Sequence, residues 1–90
     1  MPVPFAERQI IMENIKERVS AVLVQVNKKV EPLLDSTSLV SSGILDSLDI
    51  MSLIMDLERA FEIEIDPEDV LSENFESVDA ITALVEKCGS

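Results

Sequence analysis

"SGILDSLDIMSLIMDLERAF", residues 42–61, joins a short approach containing Ser and Gly to an apolar-periodic run with no Gly or Pro inside it. Within that run Ile50, Leu53, Ile54, Leu57 and Phe61 fall on one face of a 3.6-residue period, which predicts a helix from about Ser47 to Phe61 with this stripe toward a core. Leu48, Met51 and Met55, spaced three and then four apart, form a second stripe that leans away from the first. Two readings of that stripe are open. It is the edge of a wide core, or it is a surface on which flexible methionines meet several partners.

The start of this helix raises the question of what Ser47 does. A serine at such a position usually caps the helix by accepting a hydrogen bond from a first-turn N–H. A capping box would then place Glu or Gln three residues on, and the residue there is Ile50. Asp46 serves equally well as cap, with Asp49 three residues further, and in that frame Ser47 stands at the first helical position with its hydroxyl free.

Working upstream, "VEPLLDSTSLVSSGILD", residues 30–46, is a loop by its serines and glycine. Leu33, Leu34, Leu39, Val40, Ile44 and Leu45 are too many apolar groups for a loose one, so it is expected to lie pinned across the core. Before it, residues from roughly 4 to 29 predict a long helix, because Ile11, Ile15, Val19, Val22 or Leu23, and Val26 recur three and four apart. Pro4 suits its first turn, and Pro32 lies beyond its end.

Downstream, "DPEDV" is a helix start with Asp66 as cap and Pro67 at the first position, opening a short helix that ends near residues 72–74. A last helix opens at Ser77 and turns Val78, Ile81, Leu84 and Val85 inward, with Phe75 plugging the gap between the two. The expected fold is all-α: a small four-helix bundle of three main helices plus one short helix, with a long first loop. A single domain is expected over residues 1–90, its core from about 4 to 88.

Composition narrows the chemistry. Nearly half of the 90 residues are hydrophobic, yet there is no Trp, no Tyr and only three Phe, so the core must be aliphatic. One cysteine, Cys88, and no histidine allow neither a disulfide within the chain nor a zinc site. Cys88 reads as a small apolar residue at a helix end. A reducing compartment is expected, and with no signal-peptide pattern and no run long enough for a membrane span, a cytoplasmic protein without membrane insertion.

Charge is placed unevenly. Residues 1–45 carry five basic and five acidic side chains, whereas residues 46–90 carry two basic and thirteen acidic, so the whole net charge of −11 lies in the second half, from Asp46 onward. Such a field repels nucleic acid and favours partners with basic patches, or else it simply keeps the surface soluble.

No catalytic residues emerge. Without histidine a serine nucleophile has no ordinary base, the pattern G-x-S-x-G is absent, and two glycines cannot make a phosphate cradle. Asp46, Asp49 and Asp56 are close together but lack the alternating ligands and distant Glu of a calcium loop. The chain is not expected to be an enzyme by itself. If Ser47 matters chemically, another protein acts on it.

The "G-x-x-D-S-L" segment at a helix start after a long loop, the acidic second helix, the "FEIEIDPEDV" continuation and the length together resemble the acyl carrier protein family of phosphopantetheine-binding domains. The resemblance runs from roughly Ile10 to Cys88. It implies a non-catalytic carrier with Ser47 as the acceptor of 4′-phosphopantetheine, attached by a separate phosphopantetheinyl transferase that uses coenzyme A and magnesium. The arm ends in a thiol that carries acyl or aminoacyl cargo as a thioester. Asp46 would match the family aspartate that meets the transferase, Leu48 a residue that meets partner enzymes, and Met51 and Met55 the same recognition face. Asp49, Asp56 and Glu58 would add the acidic side chains read by a loading ligase and downstream synthases.

In most fatty-acid carriers the glycine stands three residues before the serine. Here Gly43 stands four before it, Ser52 replaces a usual acidic residue, and Arg59 adds a positive charge. "SGILDS" is closer to discrete carriers of specialised pathways, including those that carry an amino acid. A monomer is expected. The alternative is an unmodified acidic helical adaptor for a basic protein partner.

Overall fold

In the computed structural model, residues 5–89 are described, with side chains described from residue 14 onward. Three α-helices, α1 (Phe5–Val26), α2 (Ser47–Phe61) and α3 (Val78–Gly89), pack with short 3-10 segments between them, and no strand occurs among the described residues. Pro4 and the Ile11 side chain lie outside the described residues.

Each helix buries the stripe its spacing marks. Val19, Val22 and Leu23 of α1, Leu53 and Leu57 of α2, and Val78, Ile81, Leu84 and Val85 of α3 are buried together. Ile50, Ile54 and Phe61 are half-buried against this core rather than within it. The core is aliphatic but for Phe75, the largest side chain fully removed from solvent among the described residues. Thr82 is buried on α3 and satisfies its hydroxyl by donating to the Val78 carbonyl at 2.8 Å.

The connection from α1 to α2 is pinned as its apolar content requires. Val30, Leu39 and Leu45 are buried, and Leu45 N–H closes the last turn by donating to the Leu39 carbonyl at 2.9 Å. The connection also holds structure that a loop reading omits. α1 stops at Val26, three residues short of the expected end, because Asn27 is extended and its side-chain oxygen accepts from Lys29 N–H, starting a 3-10 segment over Lys28–Leu33 that contains Pro32.

The short helix expected after Asp66 is instead two separate 3-10 turns, Pro67–Asp69 and Ser72–Phe75. Asp66 caps the first, its side chain accepting from Glu68 N–H at 2.9 Å. Val70 and Leu71 break the run, so neither turn reaches the length at which α-helical bonding takes hold. Ser77 caps α3, its hydroxyl oxygen accepting from Ala80 N–H at 3.0 Å.

Polar ties set the helices against one another. Arg18 on α1 lies 4.3 Å from the Phe61 ring centroid and donates to the Ala60 carbonyl, covering the end of α2. Glu62 follows that end in the left-handed region, φ 54°, where glycine is usual. Lys16 pairs with Asp79 at 2.9 Å, and Lys87 with Asp69 at 2.8 Å. Cys88 is half-buried against the core.

Candidate functional site at the start of α2

The geometry decides between the two caps. Asp46 is extended, φ −96° and ψ −177°, and its carboxylate accepts from Asp49 N–H at 2.9 Å while the Asp49 carboxylate accepts from Asp46 N–H. This is a reciprocal capping box with Asp where Glu or Gln is usual. Ser47 therefore stands at the first helical position, exposed, and its hydroxyl takes no part in the cap.

Three elements hold this corner. Asn27 Nδ2 donates to the Ile44 carbonyl at 3.0 Å and to the Asp49 carboxylate at 3.2 Å, tying the end of α1 to residues on both sides of Ser47. Gly43 has φ +85°, a conformation that costs an L-residue roughly 1–2 kcal/mol even though a Cβ there would meet nothing. From the far side Glu76 reaches the loop. Its carboxylate accepts from Val40 N–H at 2.7 Å, Ser41 N–H at 2.9 Å and the Ser41 hydroxyl.

Those bonds favour the charged form of Glu76, so its pKa lies below the ordinary 4.5; the Ser41 hydroxyl is the largest cause, the Ser41 and Val40 N–H groups add to it, and burial opposes them. A depressed carboxylate pKa gives a contribution present in full above the ordinary value and lost as pH falls past it through the lowered folded value. The Ser41 amide resonance should accordingly titrate with a midpoint below 4.5. A midpoint at or above that value would contradict the bonding described.

A cleft of about 260 Å³ opens beside Ser47, between Ile50, Met51 and Ile54 of α2 and the facing Val70, Leu71 and Phe75. Periodicity had no means of finding this cleft. Val70 and Leu71 sit between two short turns with no apolar period of their own, and they remain partly exposed.

The residues expected to meet partners divide by what their side chains touch. Leu48, Met51 and Met55 are 73%, 62% and 56% exposed, so the second stripe of α2 is a surface rather than the edge of the core. Asp46 and Asp49 serve the cap. Glu58 turns its carboxylate back to accept from Ile65 N–H at 3.0 Å, holding the segment after α2. Asp56 is half-buried on α2. No group of three or more side chains able to hold a metal ion occurs among the described residues, and no helix there is long and apolar enough to cross a membrane.

Residues 17–85 match the family model described as "Phosphopantetheine attachment site". An acyl carrier protein of Buchnera aphidicola subsp. Baizongia pistaciae is 35% identical over 77 residues, covering 84% of this chain and 96% of the relative. One from Buchnera aphidicola subsp. Schizaphis graminum is 39% identical over 59 residues, 64% of this chain and 75% of the relative. An acyl carrier protein homolog of Mycoplasmopsis pulmonis is 35% identical over 66 residues, 73% of this chain and 88% of the relative. No solved structure matches significantly.

This small helical domain thus presents an exposed serine, outside the helix cap, beside an apolar cleft. The chain belongs to the acyl carrier protein family of phosphopantetheine-binding domains. The cofactor that membership brings is a covalently attached 4′-phosphopantetheine. The corner at Ser47 fits such a group: the hydroxyl is accessible, and a phosphodiester there would sit by the positive end of the α2 dipole.

Proposed function

We propose that Ser47 is the attachment point of 4′-phosphopantetheine and that the protein carries acyl intermediates as thioesters between partner enzymes. The observation that carries this reading is the division of labour at the start of α2. Asp46 and Asp49 do the capping, leaving the Ser47 hydroxyl exposed at the mouth of the cleft. The arm supplies the thiol that holds the cargo. Asp46 and the exposed Leu48, Met51 and Met55 meet a phosphopantetheinyl transferase, a loading ligase and downstream synthases, whose basic patches are drawn to the acidic second half of the chain.

Intact mass after incubation with coenzyme A, magnesium and a broad-specificity phosphopantetheinyl transferase tests this. One phosphopantetheine is expected, located by proteolysis to the peptide containing Ser47. A folded sample that gains nothing would leave an acidic adaptor as the better account.

The cargo is an apolar acyl chain rather than an amino acid. The cleft is lined by Ile50, Met51, Ile54, Val70, Leu71 and Phe75, and each methylene buried there gains about 0.8 kcal/mol, whereas an ammonium group would be desolvated without a partner. Loading the arm with an octanoyl group should shift the Ile54 methyl and Phe75 ring resonances, and loading it with glycine should not. Equal spectra for the two cargoes would remove the argument for an acyl chain.

A further inference from the structure

Residues 39–41 of the loop that leads to Ser47 are held by one residue distant in sequence, and this hold adds geometry more than it adds stability. Glu76 lies between the Ser72–Phe75 turn and α3. Its backbone carbonyl accepts from Leu39 N–H at 2.9 Å, and its carboxylate takes Val40 N–H, Ser41 N–H and the Ser41 hydroxyl. Three consecutive loop residues are thus bound by Glu76 alone.

From there the bonding runs on to the helix start. Gly43 N–H donates to the Val40 carbonyl at 3.0 Å, Leu45 N–H to the Leu39 carbonyl at 2.9 Å, and Asp46 follows as the cap of α2. Leu39 and Leu45 set the depth of the loop by burial, but Ser41, Ser42 and Gly43 are exposed and have no apolar anchor. Water would satisfy their N–H groups at small net cost. What water cannot do is hold them in one arrangement.

We infer that Glu76 is a positioning residue, which fixes residues 39–46 so that the loop and the start of α2 meet a modifying enzyme as one rigid surface. The inference rests on the reading of Ser47 as the attachment point. Releasing the loop leaves the hydroxyl chemistry alone and lowers the fraction of molecules in the binding-competent arrangement. Apparent affinity falls in proportion to that fraction, so KM rises while kcat stays.

Two conservative variants separate geometry from charge. Glu76→Asp keeps the charge and is one methylene too short to reach the loop; Glu76→Gln keeps the reach, its carbonyl oxygen accepting the two backbone N–H groups and its amide facing a hydroxyl that can also accept. With coenzyme A, magnesium and a phosphopantetheinyl transferase, Glu76→Asp should raise KM for the carrier about tenfold at unchanged kcat, corresponding to a competent fraction of roughly one in ten. Glu76→Gln should stay within about twofold of the parent, in line with its retained bonds. Both are assayed where their circular dichroism equals the parent's. An unchanged KM in Glu76→Asp, or a KM raised by Gln and not by Asp, overturns the inference, the latter by assigning Glu76 a direct charge contact.

Amide exchange at Val40 and Ser41 in the parent is an independent readout that needs no variant. Protection is expected, and exchange at the rate of an open chain overturns the clamp. A parent that is never modified at Ser47 sinks the proposed function instead, while the exchange measurement still judges the clamp.

Discussion

Ser47→Ala is expected to abolish phosphopantetheine attachment completely and to leave the thermal transition within a few degrees of the parent. The first half follows from chemistry, since alanine has no oxygen to form the phosphoester. The second follows from position. Ser47 is exposed at the first turn of α2, alanine is the better helix former, and the cap bonds belong to Asp46 and Asp49. An exposed substitution of this kind is worth about 0.5 kcal/mol or less. Asp46→Ala is the instructive contrast, because it removes the capping oxygen and should cost about 1 kcal/mol of stability. Intact mass and melting on the two variants check both halves. A Ser47→Ala protein that still gains the arm would place attachment elsewhere, and one that unfolds would make Ser47 a structural residue.

Phe75→Ala is the most damaging single change expected in the core. Phe75 is fully buried, is the largest such side chain among the described residues, and closes the floor of the cleft beside Ser47. Truncating a buried Phe costs about 3–5 kcal/mol through lost transfer energy and the cavity left behind. A domain of this size holds only roughly 5–15 kcal/mol in all. The melting temperature should fall by more than about 12 °C, at 4–8 °C per kcal/mol. Leu71→Ala, in the same segment but about half exposed at 48%, should move it by far less. Equal shifts for the two would mean that the wall of the cleft folds separately from the core, which the buried position of Phe75 argues against.

The two changes act on neighbouring parts of one corner, and their opposite expected effects follow from burial. Ser47 is free because Asp46 and Asp49 take over its usual work. Phe75 is indispensable because nothing else fills its space. Around them Asn27 and Glu76 bind the loop from opposite sides, so the Ser47 hydroxyl is exposed on a frame held by hydrogen bonds. Exposure of the hydroxyl and rigidity of its surroundings are separate properties, supplied by different residues.

Much of this was legible along the chain because it depends on local period and local caps. α2 follows from Ile50, Leu53 and Leu57 recurring at helical spacing, and α3 from Val78, Ile81, Leu84 and Val85. That Ser47 could be free was legible in Asp46 and Asp49 standing three apart, a pattern that a helix start can use without help from elsewhere, though the choice between the two caps waited for the geometry. The absence of histidine and the single cysteine removed the common serine hydrolase, disulfide and zinc readings before any fold was considered.

What the sequence could not decide is whatever depends on residues far apart in it. Whether the Met51 and Met55 stripe is core or surface turns on what packs over α2, and only the fold leaves it exposed. The early stop of α1 at Asn27 rewards a bond to Ile44 that is invisible until the connection folds back. The cleft exists because two short turns, rather than one helix, face α2 across a gap. The reach of Glu76 to Val40 and Ser41 spans 36 and 35 positions, and no spacing rule relates residues so far apart. Helix period and capping are satisfied within a few residues, so the sequence by itself determined where α2 and α3 run and offered Asp46 beside Ser47 as the cap of α2. Clefts and clamps form between elements, so only the tertiary structure decided what surrounds that serine.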